Sequence, residues 1–245
     1  MNSKKLLTVL FIAILTASFG TINSQKKMDG NQKLKANNGK SYSVIMLNIS
    51  NDDGYNQYRE KSNKLLEKSG GHIEREFDVM GQKGNIPDFE TPNRIIVVKW
   101  DSPMGHQNLM NNPKYVKASE LLKSSTSNIR VIKGTSEMFQ SSDSDENGRM
   151  YLIKMSYYKD NTQGRQDMLN KIGPKLAPYG FYTERMIMVE ESVGFETPDE
   201  FTIHFHDFAT QNEELQKDES VTSVIGEYNN KFLTQFVYLP LKLRK

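Results

Sequence analysis

The chain has 245 residues, with 32 Lys and Arg against 30 Asp and Glu and a formal net charge of +2. Charges of both signs are interspersed, without Lys-rich runs or basic patches interleaved with aromatics, which argues against a nucleic-acid footprint. The absence of cysteine excludes disulfides, a thiolate nucleophile and a zinc–thiolate site.

The N-terminus predicts an export signal over residues 1–24. Lys4 and Lys5 precede an apolar run from Leu6 to about Phe19 that is short for a membrane span. Small residues follow, then a polar linker over 25–40. The expected location is periplasmic or secreted, with no membrane association once the signal is removed.

From there the pattern predicts a strand over Tyr42 to Ile49 and turn and N-cap chemistry at Asn51-Asp52-Asp53-Gly54. A helix follows with Tyr55, Tyr58, Ser62, Leu65 and Leu66 at helical spacing, ended by Gly70-Gly71. Strands are predicted over His72 to Val79 and Arg94 to Trp100. A helix from about Met104 to Lys123, interrupted at Pro113, leads to a last strand over Ile129 to Lys133. This β-α-β-β-α-β order is a ferredoxin-like unit, placed at 41–136. Residues 137–148, Ser- and Asp-rich, read as a linker.

Residues 149–245 predict the same order again. Strands are expected over Tyr151 to Tyr158, Phe181 to Val189, Phe201 to His206 and Gln235 to Leu239, with helices over Gly164 to Leu176 and Glu213 to Lys231. Phe89-Glu90-Thr91-Pro92 recurs as Phe195-Glu196-Thr197-Pro198, and the same offset pairs Leu109 with Leu215 and Val131 with Val237. The expectation is a tandem duplication.

Trp100-Asp101-Ser102, the following helix, Asn112-Pro113-Lys114-Tyr115 and Ile129-Arg130-Val131-Ile132-Lys133-Gly134 resemble the dimeric α+β-barrel superfamily, and within it the DUF1330 domains. The resemblance covers most of residues 42–134. The second half has Asp218-Glu219-Ser220-Val221 where the Asn-Pro-Lys-Tyr segment stood, so its membership rests on the internal repeat. The resemblance implies an α+β fold in which two fused ferredoxin-like (βαββαβ) units form one α+β barrel, as a monomer or a homodimer. Such superfamilies hold haem-degrading and quinone-forming monooxygenases, muconolactone isomerases, polyketide cyclases and haem-dependent dehydratases, several of them free of cofactors. Fold alone does not choose among these chemistries.

Comparison of the two halves localises a candidate site. Thr202, His204 and His206 stand against Ile96, Val98 and Trp100, and alternation puts each set of three on one face of a strand. Buried imidazoles need partners or a polar cavity, so a polar pocket over the second sheet is expected. Lys154, Ser156 and Tyr158, set against Met46, Asn48 and Ser50, would face the histidines from the neighbouring strand. Tyr182, Glu184 and Arg185 would add polar groups from the edge strand. Histidine gives or takes a proton near neutral pH. Tyr158 or Lys154 could donate to a developing enolate oxygen, and Arg185 could clamp a carboxylate. Catalytic candidates are therefore His204, His206, Tyr158 and Lys154, with Arg185, Ser156, Tyr182 and Glu184 binding substrate.

Glu74-Arg75 matches Glu184-Arg185, which also fits a salt bridge common to both repeats. Two histidines on one strand face could hold a cation with Glu184 or another carboxylate, but no carboxylate stands at a recognisable ligand spacing from them, so no metal and no cofactor are expected. The expected function is a lyase (dehydratase) or isomerase acting by proton transfer on a small carboxylate- or carbonyl-bearing substrate. Unsaturated uronic-acid oligosaccharides from polysaccharide breakdown are one such class. A non-catalytic small-ligand-binding protein and an α+β-barrel monooxygenase are the alternatives.

Overall fold

The computed structural model describes residues 40–138 and 145–244. The expected export signal and all of the polar linker but Lys40, which opens the first strand, lie outside the described residues.

The first half runs β1 (Lys40–Ile49), α1 (Asp52–Lys68), β2 (Gly71–Val79), a two-residue β3 (Lys83–Gly84), β4 (Arg94–Trp100), α2 (Gly105–Met110), α3 (Pro113–Ser125) and β5 (Thr126–Met138). The second runs β6 (Met150–Tyr158), α4 (Arg165–Leu176), β7 (Phe181–Val193), β8 (Glu200–His206), α5 (Ala209–Lys217), α6 (Glu219–Phe232) and β9 (Leu233–Leu243). Apart from β3, the two halves take the same order of elements. The segment 137–148 is not a free linker at its ends. β5 continues through Met138, and Glu146–Gly148 forms a 3-10 turn whose Glu146 pairs with Arg75 at 2.7 Å.

Local chemistry sets the element ends. The Asn51 side chain accepts from the Gly54 amide, and Asp52 and Asp53 place negative charge in the first turn of α1. The chain leaves that helix through Gly70 at φ 77°, a conformation open to glycine at little cost. The helix expected from Met104 to Lys123 divides because Asn112 caps a new one, accepting from the Lys114 amide at 2.9 Å with Pro113 in the first turn. The helix expected from Glu213 to Lys231 divides in the same way. Asp218 accepts from the Ser220 amide at 2.8 Å and starts α6. The segment that departs from the Asn-Pro-Lys-Tyr pattern therefore does the same structural work with a different cap.

The strands form one antiparallel sheet in the order β2-β4-β1-β5-β7-β8-β6-β9-β3, closed by a β2–β9 pairing. Each half contributes four neighbouring strands, and the halves join at β5–β7 and β9–β2. The result is a closed barrel with helices outside. Residues alternate between the lumen and the helices. Val44, Met46, Ile95, Val97, Ile153, Met155, Phe201 and Ile203 fill the lumen. Leu47, Ile96, Val98 and Trp100 face α1–α3, and Leu152 and Tyr238 pack with α4–α6.

Strand register corrects the sequence alignment of the first strands. Met46 is paired with Ile95 and Met155 with Phe201, so Met46 corresponds to Met155. Lys154 then stands against Ile45, Ser156 against Leu47 and Tyr158 against Ile49. Similarly Arg130, opposite Met46, corresponds to Val237, opposite Met155; the partner of Val237 is not Val131. One constant offset does not hold because β-bulges and loop lengths differ between the halves.

Candidate active site

The closed barrel divides the expected site residues between two faces. Lys154, Ser156, Tyr158, His204 and His206 share the helix-facing side of β6 and β8, with Lys154 opposite Thr202 and Ser156 opposite Glu200. Tyr182 and Arg185 point into the lumen, opposite Phe205 and Ile203. Glu184 sits at the bulge between them and reaches Arg75. The expectation that the edge-strand residues would join the histidine pocket is therefore corrected: the sheet itself separates them.

The helix-facing row is packed rather than open. Lys154 is 0% exposed, and His204, His206 and Ser156 are equally buried. Burial requires partners, and His204 has them: Thr202 Oγ1 at 2.7 Å from Nε2 and Thr183 Oγ1 at 3.2 Å from Nδ1. Its ring stacks on Phe181 at 4.9 Å. Burial lowers its pKa to about 3, with the Lys154 charge acting in the same direction, so the ring is neutral at pH 7. His206 Nδ1 donates to the Tyr179 carbonyl at 2.9 Å, and its Nε2 is buried without a hydrogen-bond partner. Burial lowers this ring too, to about 4.

Beside the histidines lies a cluster centred on Glu200. Lys154 Nζ meets Glu200 Oε1 at 2.5 Å, and Tyr158 donates its phenol proton to Oε2. Arg165, from the first turn of α4, donates to Oε2 at 3.0 Å and to the Tyr158 oxygen at 2.5 Å. It also donates to Tyr228 at 2.9 Å. Burial works to raise the Glu200 pKa, but the Lys154 and Arg165 charges prevail and hold it down at about 2. Burial lowers Lys154 against the pull of Glu200. Burial and the Glu200 charge together push Tyr158 far up, so its phenol keeps its proton. Arg165 is 25% exposed and brings the cluster to the surface.

Sequence comparison missed Glu200 and Arg165. Glu200 immediately precedes the strand expected over Phe201 to His206 and so stood outside the comparison of its faces. The signal available was its position one residue before an apolar lumen residue, Phe201, which turns it toward the helices. Arg165 sits on α4, where the comparison of strands does not reach.

The lumen holds a second charged group. Arg185, 1% exposed, reaches Glu74 Oε2 at 2.8 Å and lies 4.6 Å over the Tyr42 ring. Arg75 reaches Glu184 at 3.3 Å and Glu146 at 2.7 Å. Among the described residues no group of three or more His, Asp or Glu could hold a metal ion. No helix among them is long and apolar enough to cross a membrane.

No curated protein matches this chain. Among solved structures, an anthrone oxidase-like protein is similar with a TM-score of 0.53 and 10% identity, covering 84% of this chain and 92% of the other. A mutant chlorite dismutase from Candidatus Nitrospira defluvii gives a TM-score of 0.51 and 8% identity, covering 84% and 92%. At such identities the likeness establishes the fold alone, an α+β barrel of two ferredoxin-like units. The family model described as a domain of unknown function, DUF1330, matches residues 40–135. The matched residues lie within the first half of the barrel, from β1 into β5.

Proposed function

We propose that the protein is a lyase or isomerase that moves a proton on a small carboxylate- or carbonyl-bearing substrate, with the cluster around Glu200 as its reactive centre. The observation that carries this reading is the contrast between equivalent positions. Where the first half packs Ile45, Leu47, Ile49 and Val98 against its helices, the second places Lys154, Ser156, Tyr158 and His204, all but Tyr158 fully buried. The fold is built without those polar groups in the first half, and buried ion pairs are weak contributors to stability. Their presence calls for another reason.

In this reading Arg165 and Tyr158, at the surface end, hold the substrate's acid or carbonyl oxygen, and the phenol stabilises charge developing there. Behind them Lys154, whose pKa burial lowers, accepts and returns the proton, positioned by Glu200. In an elimination, the base takes the proton next to the carbonyl and the C–H electrons form the new double bond. The β-hydroxyl then leaves as water with a proton from the acid. His204 and His206 keep their polar packing and position the row. Unsaturated uronic-acid units fit as a substrate class through their open-chain 5-oxo form, which carries C–H bonds beside the ketone and a hydroxyl one carbon further on, and an exported protein would meet them.

The test is incubation of the mature protein with unsaturated uronates and small oxo-acids, following product mass and NMR. Loss of one water, abolished in folded Glu200→Gln and Tyr158→Phe variants, supports a dehydratase; altered spectra at constant mass support an isomerase. Unchanged turnover in both variants would sink the assignment. Ligand-shifted melting without turnover would favour a binding protein instead.

A further inference from the structure

The cluster around Glu200 is closed to a ligand. Lys154 and Ser156 are wholly buried and Glu200 nearly so. The Arg165 guanidinium lies 4.3 Å over the Tyr158 ring. Three hydrogen bonds hold it there, to Tyr228 at 2.9 Å, to Glu200 at 3.0 Å and to Tyr158 at 2.5 Å. Ser156 stands opposite Glu200 on the neighbouring strand, and its buried hydroxyl has no hydrogen-bond partner among the described residues. Such a group is costly unless something else answers it.

The chain leading to Arg165 differs from its counterpart in the first half. There two residues, 50–51, join β1 to α1, and the Asn51 side chain caps the helix. In the second half six residues, 159–164, join β6 to α4, all of them exposed, and no side chain caps the helix. Lys159 ties the start of this segment to the end of α6, its amide donating to the Phe232 carbonyl at 2.8 Å. Beyond it, among the described residues, the hydrogen bonds are local: the Gln163 amide to Asn161 Oδ1, and the Arg165 amide to the Thr162 carbonyl, both at 3.0 Å. Gly164, at φ 79°, turns the chain into α4, and nothing beyond its chain neighbours comes within 4 Å of where a Cβ would stand. A glycine in open surroundings changes its backbone angles without a clash.

We propose that residues 159–165 form a gate over the Glu200 cluster, hinged at Gly164 and latched by the three hydrogen bonds of Arg165. Swinging the first turn of α4 outward breaks those bonds together and uncovers Ser156 and Lys154. Closure returns the guanidinium over a bound acid and shuts water out. The gate rests on the reading of this cluster as the ligand site.

The chain has no cysteine, so Ser156→Cys places a single thiol at the cluster. Iodoacetamide labelling of the ligand-free protein reads how often that thiol is uncovered, and urea unfolding of the same variant gives the share that global unfolding accounts for. Labelling at least tenfold faster than that share is expected. Val44→Cys, in the lumen at 0% exposure, should label no faster than global unfolding allows. Adding Arg165→Gln to Ser156→Cys should speed labelling roughly tenfold, corrected for global stability, as for loss of charged hydrogen bonds. Gly164→Ala keeps every latch contact at an exposed position and should speed it about fivefold, because alanine disfavours the closed backbone angle. Ser156→Cys labelling only at the global unfolding rate overturns the gate, as does a lumen thiol that labels equally fast. A rate unmoved by both Arg165→Gln and Gly164→Ala overturns the latch and the hinge. Labelling involves no turnover, so rapid labelling in a protein that transforms no uronate would remove the reaction and leave the gate standing.

Discussion

Arg185 of the second half reaches Glu74 of the first at 2.8 Å across the lumen, between strands on opposite sides of the barrel. The reciprocal contact, Arg75 with Glu184 at 3.3 Å, uses the corresponding residues in exchanged roles. Both Glu74 and Glu184 sit at bulges in the strands that carry them. A bulge re-aims side chains, which is how an outward-inward alternation delivers two adjacent charged residues to the same crossing.

Breaking this crossing should be costly because Arg185 is almost wholly buried. Arg185→Met leaves Glu74 without its cation, and Glu74→Gln leaves a buried guanidinium with only the more distant Glu184 carboxylate, at 3.9 Å. Each should lower stability to urea by about 3 kcal/mol. The double variant should lose less than the sum of the two, by at least about 1 kcal/mol. Strict additivity in equilibrium unfolding would show that the two residues are not coupled.

The strand and helix order was legible in sequence because alternation and helical spacing are strong in this chain, as at Arg94 to Trp100, where the expected and observed bounds agree. The face of each strand was legible only locally. His204 and His206 were rightly placed together on one side, yet which side faces the helices depends on barrel closure, a long-range property. The same limit explains Arg185: strand alternation cannot tell a helix-facing residue from a lumen-facing one when both faces are buried. The repeated Glu-Arg pairs did suggest a salt bridge common to both halves. Their exchange between halves was beyond sequence, since it requires the two strands to face each other.

Lys154 and Glu200 offer a second buried pair, at 2.5 Å. Lys154→Met should cost about 3 kcal/mol, as a carboxylate loses its nearest cation inside the protein. Adding Glu200→Gln should recover at least about 1 kcal/mol of that, because the remaining Arg165 is partly solvated and the buried charge is gone. Chemical denaturation of the two variants side by side reads this directly. A double variant less stable than Lys154→Met would show that Glu200 is held by Tyr158 and Arg165 rather than by the lysine.

The paired helix caps make a comparison within one molecule. Asn112 and Asp218 each accept one backbone amide at the start of an exposed-ended helix. Asn112→Ala and Asp218→Ala should each cost about 1 kcal/mol. Since Asp218 also accepts from the Tyr179 hydroxyl at 2.6 Å, its removal should be the more harmful. Thermal melting of both variants ranks them, and a larger loss at Asn112 would contradict the added role of Tyr179.

Acid should unfold this protein through its buried titrating groups, and the sign can be worked out. His204 and His206 have folded pKa values of about 3 and about 4, below the ordinary value of 6.5. Between pH 6.5 and those values the unfolded chain binds protons that the folded chain refuses, so stability falls as pH falls. Glu200, at about 2 against an ordinary 4.5, adds a further loss below pH 4.5 by the same logic. The stability contributed by all three is present near pH 7 and lost progressively toward pH 3. His204→Gln and His206→Gln should each flatten the slope of unfolding free energy between pH 6.5 and pH 4, whereas Glu200→Gln should flatten it only below pH 4.5. Urea titrations at a series of pH values separate the two windows; a histidine variant with an unchanged slope above pH 4.5 would mean that its imidazole is protonated in the folded protein.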